Sequence, residues 1–82
     1  MNMVLVVLAS YTSAYSVQTM LERKHGVLSK IVRAPTDISG LGCSYCLEFE
    51  RRYLNDALHL IKESSISVRG VYDSKTLRKI NL

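Results

Sequence analysis

An α+β fold is predicted, with elements in the order β-α-β-β-α-β, and three observations predict it. The run Met3-Val-Leu-Val-Val-Leu-Ala9 is short, continuous and β-branched. Two later segments carry apolar residues at helical spacing. Between them, Tyr45, Leu47 and Phe49 alternate with Ser44, Cys46 and Glu48. Period two marks a strand with one buried face, and a 3.6 period marks a helix with one buried stripe. The chain has 82 residues, 48% of them hydrophobic and 22% charged. A chain of that length buries roughly 60–65% of its unfolded surface, which suits one small domain and not two.

Each element has its own reason. The first strand is apolar without alternation, so it is expected at the centre of the sheet with both faces covered. Ser10-Tyr-Thr-Ser13 supplies hydroxyls for a helix start, with Thr12 or Ser13 expected as the cap. From Ala14 onward, Ala14, Val17, Met20 and Leu21 form the apolar stripe of a first helix. Glu22, Arg23 and Lys24 lie toward its other face, and Gly26 ends it where a left-handed residue is needed. His25, in the last turn, reads as a cation on the helix dipole. Val27–Arg33 reads as a second strand, closed by Pro35.

Thr36–Gly42 is a turn-rich loop with Asp37, Ser39, Gly40 and Gly42, and the alternating third strand follows it. Leu54, Ala57, Leu58 and Ile61 then form the stripe of a second helix, stopped at Ser64-Ser65. His59 falls beside that stripe. Ile66, Val68, Val71 and Tyr72 form a fourth strand in which Gly70 marks a bulge or an edge. Split β-α-β units of this size place both helices on one face of a four-stranded antiparallel sheet, the ferredoxin-like plait. Residues 1–73 are expected to be that single domain, and 74–82 a basic C-terminal tail that either docks as a helical turn or frays.

Composition excludes several functions. No apolar run approaches the roughly 20 residues of a membrane span. No basic stretch precedes the first apolar run as in a secretory signal, so a cytoplasmic protein is expected. Eleven Lys and Arg against seven Asp and Glu give a net charge of +4. These cations are scattered, and no aromatic-rich strand accompanies them, so a solvated surface is a better reading than a nucleic-acid face. Phosphate loops, metalloprotease and serine-hydrolase motifs and paired carboxylates are absent. A zinc site needs four ligands, and beyond the Cys43-x-x-Cys46 pair the chain offers only His25 and His59, on different helices at no motif spacing, so no metal site is expected. No cofactor is expected either, nor any turnover by the chain itself.

The chemistry-bearing segment is Gly40-Leu-Gly-Cys43-Ser-Tyr-Cys46-Leu. Cys43 lies where a glycine-rich loop meets the third strand. Backbone amides and a nearby Arg can stabilise a thiolate in such a setting, with Arg33, Arg51 and Arg52 as candidates. The plainer reading is a small residue filling a loop. A thioredoxin-type redox site needs a helix after the first Cys, and here a strand follows. What remains is a single nucleophilic thiol at Cys43, with Cys46 as a resolving partner or a strand filler.

The order of these pieces is distinctive: an apolar strand at Val4–Ala9, a helix rich in small residues, Pro35-Thr-Asp-Ile38-Ser39, Cys43 opening an apolar strand, and Arg69-Gly70-Val71-Tyr72 at the end. In this the chain resembles the selenium/sulfur carrier protein-like domains, short bacterial domains, over nearly its whole length. The resemblance implies that Cys43 matches the cysteine proposed to hold sulfur or selenium as a persulfide or selenopersulfide. Read from proximity along the chain, the pocket around that cysteine would be formed by Pro35, Ile38, Ser39, Gly42 and Ser44. The implied partners are a cysteine desulfurase-type donor and an acceptor protein. Cys46 falls where the family has a small residue, and Ser44 stands where the family has Gly after its cysteine. The alternative function, from a different class, is a ferredoxin-like interaction or small-ligand-binding module. Its open sheet face, with Ser44, Cys46 and Glu48, would form a homodimer or bind a ligand, and the cysteines would be incidental.

Overall fold

A computed structural model describes residues 2–35 and 44–81 of the chain. Its elements are β1 (Met3–Leu8), α1 (Tyr11–His25), β2 (Lys30–Arg33), β3 (Tyr45–Glu50), α2 (Leu54–Glu63) and β4 (Val68–Asp73), with a single 3-10 turn at Arg51–Tyr53 before α2. The described strands form one sheet in the order β2-β3-β1-β4, and every neighbouring pair is antiparallel. This is the ferredoxin-like plait. Each crossover helix carries the chain over one intervening strand, so the two β-α-β units interlock.

The faces divide as the alternation requires. Val4, Val6 and Leu8 of β1, with Leu47 and Phe49 of β3, pack under Ala14, Val17 and Leu21 of α1 and Ala57, Leu60 and Ile61 of α2. Leu5 and Val7 point the other way and join Ala34 and Cys46 in a second, smaller cluster. All of Val4 to Leu8 is therefore buried, which accounts for a central strand with no polar alternation.

Several boundaries differ from the sequence-based expectation. The cap of α1 is Ser10 and not Thr12 or Ser13. Ser10 has extended backbone, its hydroxyl accepts from the Ser13 N–H at 3.1 Å, and its carbonyl accepts from the Ala14 N–H. With three Ser or Thr hydroxyls in four residues, the one on extended backbone takes the cap. At the far end Gly26 is left-handed (φ 66) and its N–H returns to the Glu22 and Leu21 carbonyls.

The second strand starts at Lys30, not Val27. Val27 is turned into the helix-side core, and Leu28 is 79% exposed, so neither can alternate with its neighbours. The fourth strand starts at Val68, two residues later than Ile66, because Ser65 takes a left-handed turn (φ 59) first. Leu60 joins the buried stripe of α2, where Leu58 is only partly buried.

Gly70 does mark a bulge. Val7 pairs with Gly70 while Leu8 pairs with Val68, leaving Arg69 as the extra residue. No described helix is long and apolar enough to cross a membrane.

Candidate functional site

The connection between β2 and β3 opens and closes at one end of the sheet. Beyond the last paired residues, Arg33 and Tyr45, the Ala34 N–H donates to the Ser44 carbonyl at 2.9 Å. Ala34 is buried and Pro35 half-buried. Cys43, with Ile38, Ser39 and Gly42 of the expected pocket, lies outside the described residues. Of the pocket residues, Pro35 and Ser44 can therefore be placed, and both stand at the root of the connection.

Ser44 is the polar residue that this end buries, with 1% of its surface exposed. Its hydroxyl accepts a hydrogen bond from Nη1 of Arg69 at 3.1 Å. The bulge explains the reach. As the unpaired residue of β4, Arg69 is released from strand alternation, and its side chain crosses the end of β1 to the first residue before β3. A guanidinium is thus held beside the residue covalently joined to Cys43.

The sequence signal for this was present. Val68 and Val71 both pack toward the helices although they lie three apart, a parity break that only an inserted residue permits. Of the Arg residues expected near the thiol, Arg33 ends β2 at this same end. Arg51 and Arg52 begin immediately after β3, a six-residue strand away. At about 3.4 Å per residue, that is more than about 20 Å from Ser44. Arg52 is occupied there, ion-paired to Glu50 at 3.1 Å and stacked over the Tyr53 ring.

Cys46 follows two residues after Ser44 and shares its face. It sits between Val32 and Val7 in the register, fully buried, as a free thiol. Burial pushes its pKa from an ordinary 9.0 up to about 11, and the Glu48 carboxylate adds to the shift. At neutral pH such a thiol keeps its proton and packs as a small apolar group. The Glu48 carboxylate itself accepts from the Ser74 hydroxyl.

The second sheet face is filled. Leu5 and Val7 are 4% and 2% exposed, and Val32, Tyr72 and Leu77 pack around them.

Aromatic side chains gather at the same end as Ser44. Tyr11, in the first turn of α1, meets the Tyr45 ring edge-on at 5.6 Å and lies parallel to Tyr15 at 6.5 Å. Tyr45 belongs to the core as expected, but Tyr11 and Tyr15 are more than half exposed and do not. His25 closes α1 beside Gly26, and His59 faces Glu63 at 3.5 Å on the exposed side of α2. Among the described residues no three His, Cys, Asp or Glu side chains gather as metal ligands.

The fold and this end of it define a class: a small α+β plait in which the residue before β3 is a buried serine bonded by arginine, with a cysteine preceding it in the sequence. The family model described as "Putative Se/S carrier protein-like" matches residues 3–73, every strand and both helices, and the chain belongs to that family. No curated protein and no solved structure matches it.

Proposed function

We propose that this chain is a sulfur or selenium carrier that holds its cargo on Cys43 as a persulfide or selenopersulfide, working in the cytoplasm without turnover of its own. The observation that carries this reading is the contrast between the two cysteines. Cys46 is buried and held protonated. Cys43 is joined to Ser44, to which the Arg69 guanidinium is bonded. A cation near a thiol favours its thiolate, the form that attacks sulfur.

Loading is a thiol exchange that balances without an outside oxidant. The Cys43 thiolate attacks the outer sulfur of a donor enzyme's persulfide. That sulfur–sulfur bond breaks, the donor leaves as a thiolate, and Cys43 carries the transferred sulfur. Delivery repeats the step with an acceptor's thiolate as nucleophile and returns Cys43 to its starting form. Selenium would follow the same path. Pro35, Ile38, Ser39, Gly42 and Ser44 would shape the receiving pocket. The donor would be of the cysteine desulfurase type and the acceptor a cofactor-maturation enzyme.

The test is to load the reduced protein from a persulfide-bearing desulfurase and map the added sulfur by peptide mass spectrometry. Wild type and Cys46→Ser should gain one reductant-labile sulfur on the Cys43 peptide, and Cys43→Ser should gain none. Undiminished loading of Cys43→Ser would overturn the reading. A companion measurement follows the pH dependence of Cys43 alkylation, whose apparent pKa should rise in Arg69→Gln and stay low in Arg69→Lys.

A further inference from the structure

The chain does not leave the fold after β4. The Ser74 N–H donates to the Met3 carbonyl at 3.0 Å, and its hydroxyl donates to Glu48 across the second sheet face. The Asp73 carboxylate then accepts from the N–H groups of Lys75 (2.8 Å) and Thr76 (2.9 Å), and the Leu77 N–H donates to the Asp73 carbonyl at 2.8 Å. The chain turns through Leu77 and runs back along the free edge of β4. There Asp73 donates to the Arg78 carbonyl at 2.9 Å, Tyr72 bridges Lys79, and Ile80 donates to the Val71 carbonyl at 2.7 Å. Of the two alternatives left open by the sequence, the tail takes the docked one: a single helical turn, closed by the Leu77 N–H on the Asp73 carbonyl, leads into an extended stretch along β4.

Two of its side chains anchor this segment. Leu77 packs with Tyr72 on the Leu5–Val7–Ala34–Cys46 cluster, and Ile80 reaches the helix-side core. Beyond these two side chains, the edge hydrogen bonds and the Ser74 contacts hold it. Leu77 occupies the left-handed region (φ 61), which costs a branched residue backbone energy. Lys75, Thr76, Arg78, Lys79 and Asn81 are exposed. Among the described residues, none of the three cations Lys75, Arg78 and Lys79 is in an ion pair. A segment with few buried contacts, a strained turn and exposed hydrogen bonds opens well below the free energy of global unfolding.

We propose that residues 74–81 form a releasable strap that closes the Leu5–Val7–Ala34–Cys46 cluster through Leu77, and that lifting it lets a reagent reach the Cys46 thiol. The opening is a property of the strap and does not depend on the carrier reading.

The experiment uses the full chain and reads each cysteine separately by peptide mass spectrometry during native-state alkylation with N-ethylmaleimide. Leu77→Asp puts a charge on the packed side of the strap. Leu77→Gly removes the packing while relieving the left-handed strain, so it keeps the test alive if the first variant folds poorly. Cys46 alkylation is expected to accelerate about tenfold or more in Leu77→Asp and several-fold in Leu77→Gly, with the far-UV spectrum and the global unfolding midpoint of Leu77→Gly close to wild type. Wild-type hydrogen exchange should show the Leu77 and Ile80 amides opening well before the β1 amides. Unchanged Cys46 alkylation in both variants, or strap amides as protected as those of β1, overturns the proposal. Failure of sulfur loading at Cys43 would leave all of these outcomes unaffected.

Discussion

The two faces of one sheet are covered very differently. On the helix side, β1 and β3 meet two amphipathic helices whose stripes supply Val17, Leu21, Leu60 and Ile61. On the other side, the same strands place Leu5, Val7 and Cys46 beneath side chains at the sheet edges and from the returning C-terminal segment. Both faces are dry, yet only the first is a two-layer core. A residue's burial therefore does not by itself report how firmly it is held. The stiffness of what lies above it does.

The sharpest way to break this comparison is to delete the same atoms on each face. Leu47 points to the helices and Leu5 to the second face, and both are almost fully buried. Leu→Ala costs about 2–5 kcal/mol, and the cost depends on how far the surroundings collapse into the space left. Leu47→Ala should lie near the top of that range, at about 4 kcal/mol, because two helices cannot follow the lost side chain. Leu5→Ala should cost about 2–3 kcal/mol, because the strap can settle. Urea denaturation of both variants decides it, and an equal or larger loss for Leu5→Ala refutes the difference between the faces.

A second measurement sharpens the view of the thin side through pH. The Cys46 thiol holds its proton up to about pH 11 in the folded chain, against 9.0 ordinarily. As pH rises through that window the unfolded chain gives up a proton that the folded chain keeps, so stability falls with rising pH. The contribution is complete below about pH 9 and gone above about pH 11. By the linkage between pKa and stability it is on the order of 2–3 kcal/mol. Stability curves for wild type and Cys46→Ala, taken between pH 8 and 11, should diverge in slope over this interval, since tyrosines and lysines titrate alike in both. Parallel curves would mean that water already reaches Cys46 and that the strap seals nothing.

How much of this was legible in the sequence follows from the range of each interaction. The order of elements along the chain and most of both helix stripes depend on periodicity, which is local, and they stand as predicted, except that Leu60 is buried where Leu58 was expected. Boundaries slipped where neighbouring residues compete for one role, as with Ser10 against Thr12 and Ser13, or where a residue serves another layer, as Val27 does. The site divides in the same way. Ser44 and Cys46 could be placed on one face by counting. The bond from Arg69 spans 25 positions and exists because of a bulge, so nothing near Ser44 announces it. The tail was illegible for a similar reason. Its turn is organised by Asp73, but its docking depends on the free edge of β4 and on the cluster around Leu5.

Gly70 offers the smallest effect and the finest discrimination. It lies opposite Val7, beside the bulge, and a Cβ there would come within 2.9 Å of Cε1 of Tyr72. The Tyr72 ring thus lies in the space left by the missing side chain, where it packs with Leu77 on the second face. Two opposing terms meet at this position. Alanine is favoured over glycine within a strand by roughly 0.5–1 kcal/mol, while a displaced aromatic ring costs about 1–3 kcal/mol. In the wild-type background the clash wins, and Gly70→Ala should destabilise by about 1 kcal/mol and speed exchange of the Leu77 amide. In a Tyr72→Ala background the clash has no partner, so the same substitution should stabilise by about 0.5 kcal/mol. The reversal of sign, read from a double-mutant cycle, would show that Gly70 is there to seat the ring under the strap. The same sign in both backgrounds would assign the glycine to the bulge alone.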